Sequence, residues 1–351
     1  MSKIRRIFIL ANGSISITQK KTSKNGYFGF FCLNNIASWL MFDPQNFINQ
    51  LAEYCEEEHV LALDGPGSDI TEENGSIVKS IGALIDGHIG NNGISANLTK
   101  IKQFLKKQAE EAELADELLL ICGVGWSRGG FVLCQMKEWL EQKSVQGKFK
   151  IQAIHLYFID TVVGGPTDRL RYLLKERRGH YSTPINLSVH NYYSNSGNLN
   201  IWDAVLEYLP EKYQINTPFF SGVFDTTKTR TYSLGEKEYT HKTFHWLFPA
   251  THEALVGRPR NRIGQWAGDL VLADIVRHLS ALSIKLDENW VEETIEKGQT
   301  ALEQLRKLNI NWGNNRKYLD FELPDTTLFG RELTEEDNIN TFNRIPDFTY
   351  S

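Results

Sequence analysis

Short apolar runs recur along the chain, and between them lie longer segments whose apolar positions fall three and four apart. Residues 4–10 form the first run, which stops at Asn12-Gly13. Residues 60–63 form the second and end in Asp64-Gly65-Pro66-Gly67. Residues 117–124 stop at Gly125, and residues 151–159 stop at Asp160. Residues 186–193 and 243–248 are further strand candidates. The segments between read as helices. Asp43-Pro44 offers a cap followed by proline at the first helical position, for a helix reaching about Cys55. From Asn97, the residues Leu98, Ile101, Leu105, Ala109 and Ala112 share one face. Helices are also expected over 128–142, 268–282 and 288–308, with a polar, irregular extension beyond about Asn309. Strands alternating with helices predict an α/β fold with a mostly parallel sheet covered by helices on both faces. Residues 1–285 are read as one such domain, and 286–351 as a helix plus an irregular extension.

Residues 27–42 (YFGFFCLNNIASWLMF) depart from this plan. The run is rich in aromatics. It reads either as a loop and helix packed on the core or as an apolar lid that touches a membrane surface transiently.

Composition narrows the classes. Lys+Arg total 38 against 43 Asp+Glu, for a net charge of −5, with 41% hydrophobic and 23% charged residues. A disordered chain would be less apolar, and a phosphate-seeking nucleic-acid binder would be basic. The cysteines Cys32, Cys55, Cys122 and Cys134 show no CxxC spacing and read as free thiols in a reducing compartment. The start, MSKIRRIFILANG, is basic, but its apolar run is too short for a secretory signal, and no run reaches the ~20 apolar residues that span a bilayer. Cytoplasmic synthesis is expected, with signal-independent export left open.

The chemistry concentrates at Gly125-Trp126-Ser127-Arg128-Gly129, a GxSxG sequence between an apolar strand and a helical run. A nucleophile elbow puts serine on a strained strand-to-helix turn, and small residues two before and two after, Gly125 and Gly129, give it room. The Arg128 amide at the helix start would face a developing oxyanion. Asp160 ends the next strand and His252 follows a later one, giving the order Ser, acid, His. Asp203, Asp225 and Asp269 are reserve acids. The loop after the first strand supplies Gly13 or Ser14 as the second oxyanion donor.

Other readings compete. Gly123-x-Gly125-x-x-x-Gly129 loosely matches a dinucleotide-binding turn, with Asp160 as the ribose-binding acid, although the interval exceeds the usual ~20 residues. His241, His245 and His252 form at best a weak metal set, without cysteine or HExxH support, so no metal is expected. Arg169, Arg171, Lys175, Arg177 and Arg178 form a basic patch suited to solvent or to anionic lipid headgroups. A hydrolase fold used without catalysis, as a binding or scaffold protein, is the rival from another class.

Several motifs together resemble the type VI secretion phospholipase effectors and their relatives, a bacterial and fungal α/β-hydrolase family. That family's G-F-S-R-G-A elbow is similar to Gly125-Trp126-Ser127-Arg128-Gly129-Gly130. Its Asp-Thr-Val matches Asp160-Thr161-Val162, its F-P-G-x-H matches Phe248-Pro249-Ala250-Thr251-His252, and its Asp-Gly-Thr matches Asn12-Gly13-Ser14. The Ala115-Asp116-Glu117 lead-in is also similar. The match spans about residues 4–280. The resemblance implies a cofactor-independent serine hydrolase with Ser127 as nucleophile, His252 as base and Asp160 as acid. It further implies a lipid or ester substrate, an antibacterial role, and a secretion-apparatus or immunity protein as partner. Where the family has H-x-D-V-G-G-G, this chain has His252-Glu253-Ala254-Leu255-Val256-Gly257-Arg258.

Overall fold

A computed structural model of the chain describes residues 3–13, 43–66, 92–145, 149–161, 185–194, 227–234, 237–248, 250–259, 261–311, 327–328 and 331–332. Its strands are β1 (Lys3–Ala11), β2 (Val60–Leu63), β3 (Glu117–Trp126), β4 (Ile151–Ile159), β5 (Asn186–Ser194), β6 (Thr227–Leu234) and β7 (Lys237–Phe248). They form one sheet in the order β2-β1-β3-β4-β5-β7-β6, parallel throughout except for the antiparallel β6–β7 pair. The helices are α1 (Phe47–Glu53), α2 (Asn92–Leu114), α3 (Arg128–Val145), α4 (Arg262–Ala281) and α5 (Glu288–Asn311). A two-residue ladder, β8 (Thr327–Leu328) with β9 (Arg331–Glu332), follows.

Helices cover both faces, because the central strands are apolar on both. In β1, Ile7 and Ile9 join Ile101, Leu105, Val132 and Met136 of α2 and α3 in one core. Phe8 and Leu10 point the other way and join Phe47, Leu51, Leu270 and Ile275 of α1 and α4. A strand buried on both sides cannot alternate apolar with polar, which is why these runs are continuous. The α/β class with a mostly parallel, doubly covered sheet is the architecture the alternating pattern predicts. Trp290, Ala301, Leu302 and Leu305 of α5 share the core of α4. Tyr54 stacks on Trp290 with ring centroids 4.8 Å apart.

Several boundaries differ from expectation. Helix α1 begins after Asn46, whose side chain accepts from the Ile48 amide, so Asp43-Pro44 forms a turn in front of the helix rather than its cap. Helix α2 begins at Asn92, before Asn97. Helix α4 begins after Asn261, which accepts from the Gly264 amide, ahead of the expected Gly268. Strand β3 runs through Gly125 to Trp126, because these residues pair with Phe158 and Ile159 of β4. Strand β6 was not expected at all; its TKTRTYSL sequence is polar, as a sheet-edge strand can be. Residues 27–42 and 169–178, together with Cys32, Asp203 and Asp225, lie outside the described residues, as does most of the C-terminal extension. Cys55, Cys122 and Cys134 are free thiols. Among the described residues, no helix is long and apolar enough to cross a membrane.

Candidate active site

The carboxyl ends of β1, β2, β3 and β4 meet at one edge of the sheet. Ser127 follows β3 directly, and Arg128 opens α3. The serine has φ 53°, the left-handed region that non-glycine residues avoid, and its amide donates to the Ile159 carbonyl at 3.0 Å. Such a conformation costs about 1–3 kcal/mol and persists only where surrounding packing enforces it. Glycines supply that packing. A Cβ on Gly125 would stand 2.7 Å from the Gly130 Cα, and one on Gly129 would strike the Ala11 and Asn12 carbonyls at the end of β1. Gly129 is therefore small because β1 crowds it, not because the turn itself does. Gly130 is held equally tightly, against the Thr161 side chain, a constraint not foreseen in the sequence.

Asp160 ends β4 and is also left-handed, with φ 42°; its amide donates to the Tyr192 carbonyl at 2.7 Å. That hydrogen bond across the β4–β5 seam turns its side chain toward His252. The His252 Nδ1 lies 2.8 Å from Asp160 Oδ2, and both side chains are about nine-tenths buried. An ionised carboxylate can only accept, so Nδ1 carries the hydrogen and Nε2 presents a lone pair. Below His252, a 3-10 turn over Ala254–Val256 is wholly packed into the core, and the Thr251 side chain accepts from the Ala254 amide. The apolar Ala254-Leu255-Val256, where the resembled family differs, thus anchors the histidine from beneath. The Trp126 ring packs on the imidazole, with centroids 5.3 Å apart, so the residue before Ser127 touches the residue paired with Asp160. Asp269, a reserve acid, sits instead on α4, where burial raises its pKa to about 6 against the opposing pull of Lys297.

The wall opposite is built of amides. Asn12 is fully buried. Its Nδ2 donates to Asn49 Oδ1 at 2.9 Å, and its Oδ1 accepts from Asn46 Nδ2 and from the Gly13 amide, each at 3.1 Å. The Gly13 amide, an expected oxyanion donor, therefore has a partner already. Gly13 presses on Trp126, and Gly65 from the end of β2 presses on the Gly13 carbonyl. Ser14 lies outside the described residues. The Arg128 amide stands at the first position of α3, while its side chain is completely buried. Arg258 lies over Trp126, 5.3 Å from the ring, and its Nε donates to Asp43 Oδ2 at 2.7 Å. Sequence reasoning missed Asn46, Asn49, Gly65 and Arg258; Asn46 and Asn49 carry a faint signal as paired asparagines on the first helical turn.

The glycines of the dinucleotide-like pattern serve packing. A Cβ on Gly123 would meet the Leu156 and Leu133 side chains at 3.0 and 3.2 Å, inside the α3-side core. His241 and His245, the other members of the weak histidine set, belong to β7, opposite Leu187 and Asn191, and their side chains lie outside the described residues. Among the described residues another group comes together, formed by His190 of β5 with Asp274 and His278 of α4. There, burial pushes the His190 pKa well below its ordinary value, with His278 adding to the effect, and burial also lowers His155 to about 4.

No family model and no curated protein matches the chain. Among solved structures it is similar to the phospholipase PlaB from Legionella pneumophila, in complex with thio-NAD, at 11% identity and a TM-score of 0.34. The match covers 86% of this chain and 64% of that one, so the chain spans less than two thirds of its length. A likeness this loose carries no chemical argument, and the site rests on its own geometry.

Proposed function

We propose that the chain is a serine hydrolase of carboxylic esters, with Ser127 as nucleophile, His252 as general base and acid, and Asp160 as its orienting partner. One observation carries this reading: a left-handed serine at a strand-to-helix junction, whose preceding Trp126 packs on an imidazole with its Nδ1 fixed by a buried carboxylate at 2.8 Å. His252 Nε2 takes the Ser127 proton as Oγ attacks the ester carbonyl, then delivers it to the leaving alcohol. Asp160 keeps the imidazole tautomer and stabilises the imidazolium that forms. The Arg128 amide, at a helix N-terminus, supports the oxyanion. Gly13 joins it if the oxyanion draws its amide away from Asn12 Oδ1, and Ser14 is the neighbouring alternative. Water, activated by the same histidine, releases the acid. No cofactor enters this scheme.

Lipid or phospholipid acyl esters are the proposed substrates, on the motif resemblance alone. An antibacterial effector role and a secretion-apparatus or immunity protein as partner rest on the same ground, and transient membrane-surface contact rests on the aromatic run 27–42 and the basic patch 169–178. The test is covalent labelling with a fluorophosphonate, read by intact mass, on wild type and Ser127→Ala. Labelling of wild type alone is the expected result; phospholipid vesicles and soluble esters then separate lipid from general esterase activity. Absence of labelling in a folded chain, with detergent or vesicles present, overturns the hydrolase reading in favour of a binding or scaffold role.

A further inference from the structure

A second cluster of reactive side chains lies on the α4 face of the sheet, away from Ser127. His190 of β5 stands opposite Tyr157 of β4 in register, and Tyr157 precedes Asp160 by three residues, about 10 Å along the strand. Asp274 and His278 face these strands from successive turns of α4, at the i,i+4 spacing that stacks side chains. His190, Asp274 and His278 each offer a donor atom, and these atoms lie within 4.8 Å of one another. The rings of His190 and His278 approach to 4.5 Å between centroids.

We propose that His190, Asp274 and His278 form a binding site for a divalent transition-metal ion of the zinc class, which clamps α4 to the β4–β5 seam. Two imidazoles and a carboxylate are a donor set that zinc and its neighbours take, at about 2.0–2.2 Å from each ligand. Donors around such an ion stand about 3.3–3.5 Å apart, so the site closes by roughly an ångström on loading. The hydrogen bonding of His278 leaves one ring nitrogen for an ion, although Nδ1 is the one 3.5 Å from Asp274 Oδ1, so the imidazole turns as the ion enters. Its Nδ1 lies 2.7 Å from the Asp274 backbone carbonyl, which only accepts, so Nδ1 carries the hydrogen and Nε2 the lone pair. An ion held through Nε2 keeps this supporting hydrogen bond, the usual arrangement for a ligating histidine.

A second observation points to a missing ligand. The Tyr157 side chain is fully buried, and its hydroxyl has no hydrogen-bond partner among the described residues. Its ring stacks on His190 at 4.9 Å and lies 6.1 Å from His278. An orphaned buried hydroxyl costs about 1–3 kcal/mol, and a metal-bound water would satisfy it. Asp274 Oδ2 accepts from the Tyr192 hydroxyl at 2.8 Å and Oδ1 from Arg277 Nη2 at 2.9 Å. Each oxygen keeps a further lone pair, but the guanidinium repels an incoming cation. Arg277 therefore moderates the affinity of the site.

The test uses the full chain, stripped of metal and titrated with cobalt(II) chloride. Expected is a visible d–d spectrum that saturates at one ion per chain, without a thiolate-to-cobalt band, although Cys122 stands opposite His155 in the sheet. Zinc chloride should compete and should raise Tm. His278→Ala keeps the fold, because the residue lies on the last turn of α4 and alanine favours helix. It is expected to weaken cobalt by at least the roughly 10–100-fold that loss of a mere supporting partner costs. Arg277→Gln should tighten binding several-fold, which a purely structural cluster would not show. Ser127→Ala and His252→Ala should bind as wild type does. A wild type with no saturable spectrum, a spectrum indifferent to His278→Ala, a strong thiolate band, or loss of binding in His252→Ala each overturns the proposal.

Discussion

Two histidine–carboxylate constellations occupy the same face of the sheet, and their carboxylates differ in what else they hold. Asp160, at the sheet edge, meets His252 on a strained turn beside Ser127. Asp274, mid-sheet, already carries an ion pair with Arg277 and a hydrogen bond from Tyr192 before either histidine is counted. In the proposed mechanism, a buried carboxylate at the imidazole Nδ1 holds the tautomer and steadies the imidazolium of a base that must take a proton. A carboxylate neutralised by arginine does little for a neighbouring imidazolium, and burial keeps His190 neutral. On the two proposals, the same residue types yield a proton carrier in one place and a neutral donor set in the other.

The comparison breaks most sharply at the two aspartates. Asp160→Asn should lower ester turnover by about 10⁴-fold, since the wrong imidazole tautomer is then favoured. Asn tolerates the left-handed backbone, so urea denaturation should show little change in stability. Asp274→Asn should do the reverse. It removes the charge that Arg277 pairs with at 2.9 Å and should cost about 3 kcal/mol in urea denaturation, while fluorophosphonate labelling of the folded fraction continues. Tyr192→Phe removes one donor to Asp274 and should cost about 1–2 kcal/mol, again without loss of labelling. The smallest effect is a pH dependence on α4. Asp269 has a folded pKa of about 6 against an ordinary 3.8, so between those values the native state binds more protons than the unfolded state. Stability therefore falls as pH rises through this window. Asp269→Asn should be more stable than wild type by about 1 kcal/mol at pH 8, after allowance for partial exposure, with the difference vanishing below about pH 4. Chemical denaturation across pH measures it.

The two constellations were unequally legible. Ser127, Asp160 and His252 each follow an apolar run that ends at a turn, and their chain order matches the order a hydrolase sheet imposes, so pattern and motif converged on them. The second cluster joins residues 190 and 274, which only the β4–β5 register and the docking of α4 bring together; periodicity carries no trace of that. Its one visible sign is Asp274 and His278 at i,i+4 on a helix. Strands β1 to β5 were readable because burial on both faces makes them continuously apolar. Strand β6 was not, because an antiparallel edge strand such as TKTRTYSL needs no apolar run. Helix α1 starts later because Asn46, not Asp43, reaches the Ile48 amide, and α4 starts earlier because Asn261 caps it, a matter of which side chain reaches an amide.

Trp126 has a consequence of another kind, an optical one. Its indole contacts both the His252 imidazole and the Arg258 guanidinium, 5.3 Å from each. Protonated imidazole quenches indole emission, whereas neutral imidazole does so far less. The chain has eight tryptophans, so the difference in emission between wild type and Trp126→Phe isolates this one. That difference signal reports the charge on His252 directly, and stopped-flow mixing with a substrate would record each proton that the histidine takes and returns as a dip in light.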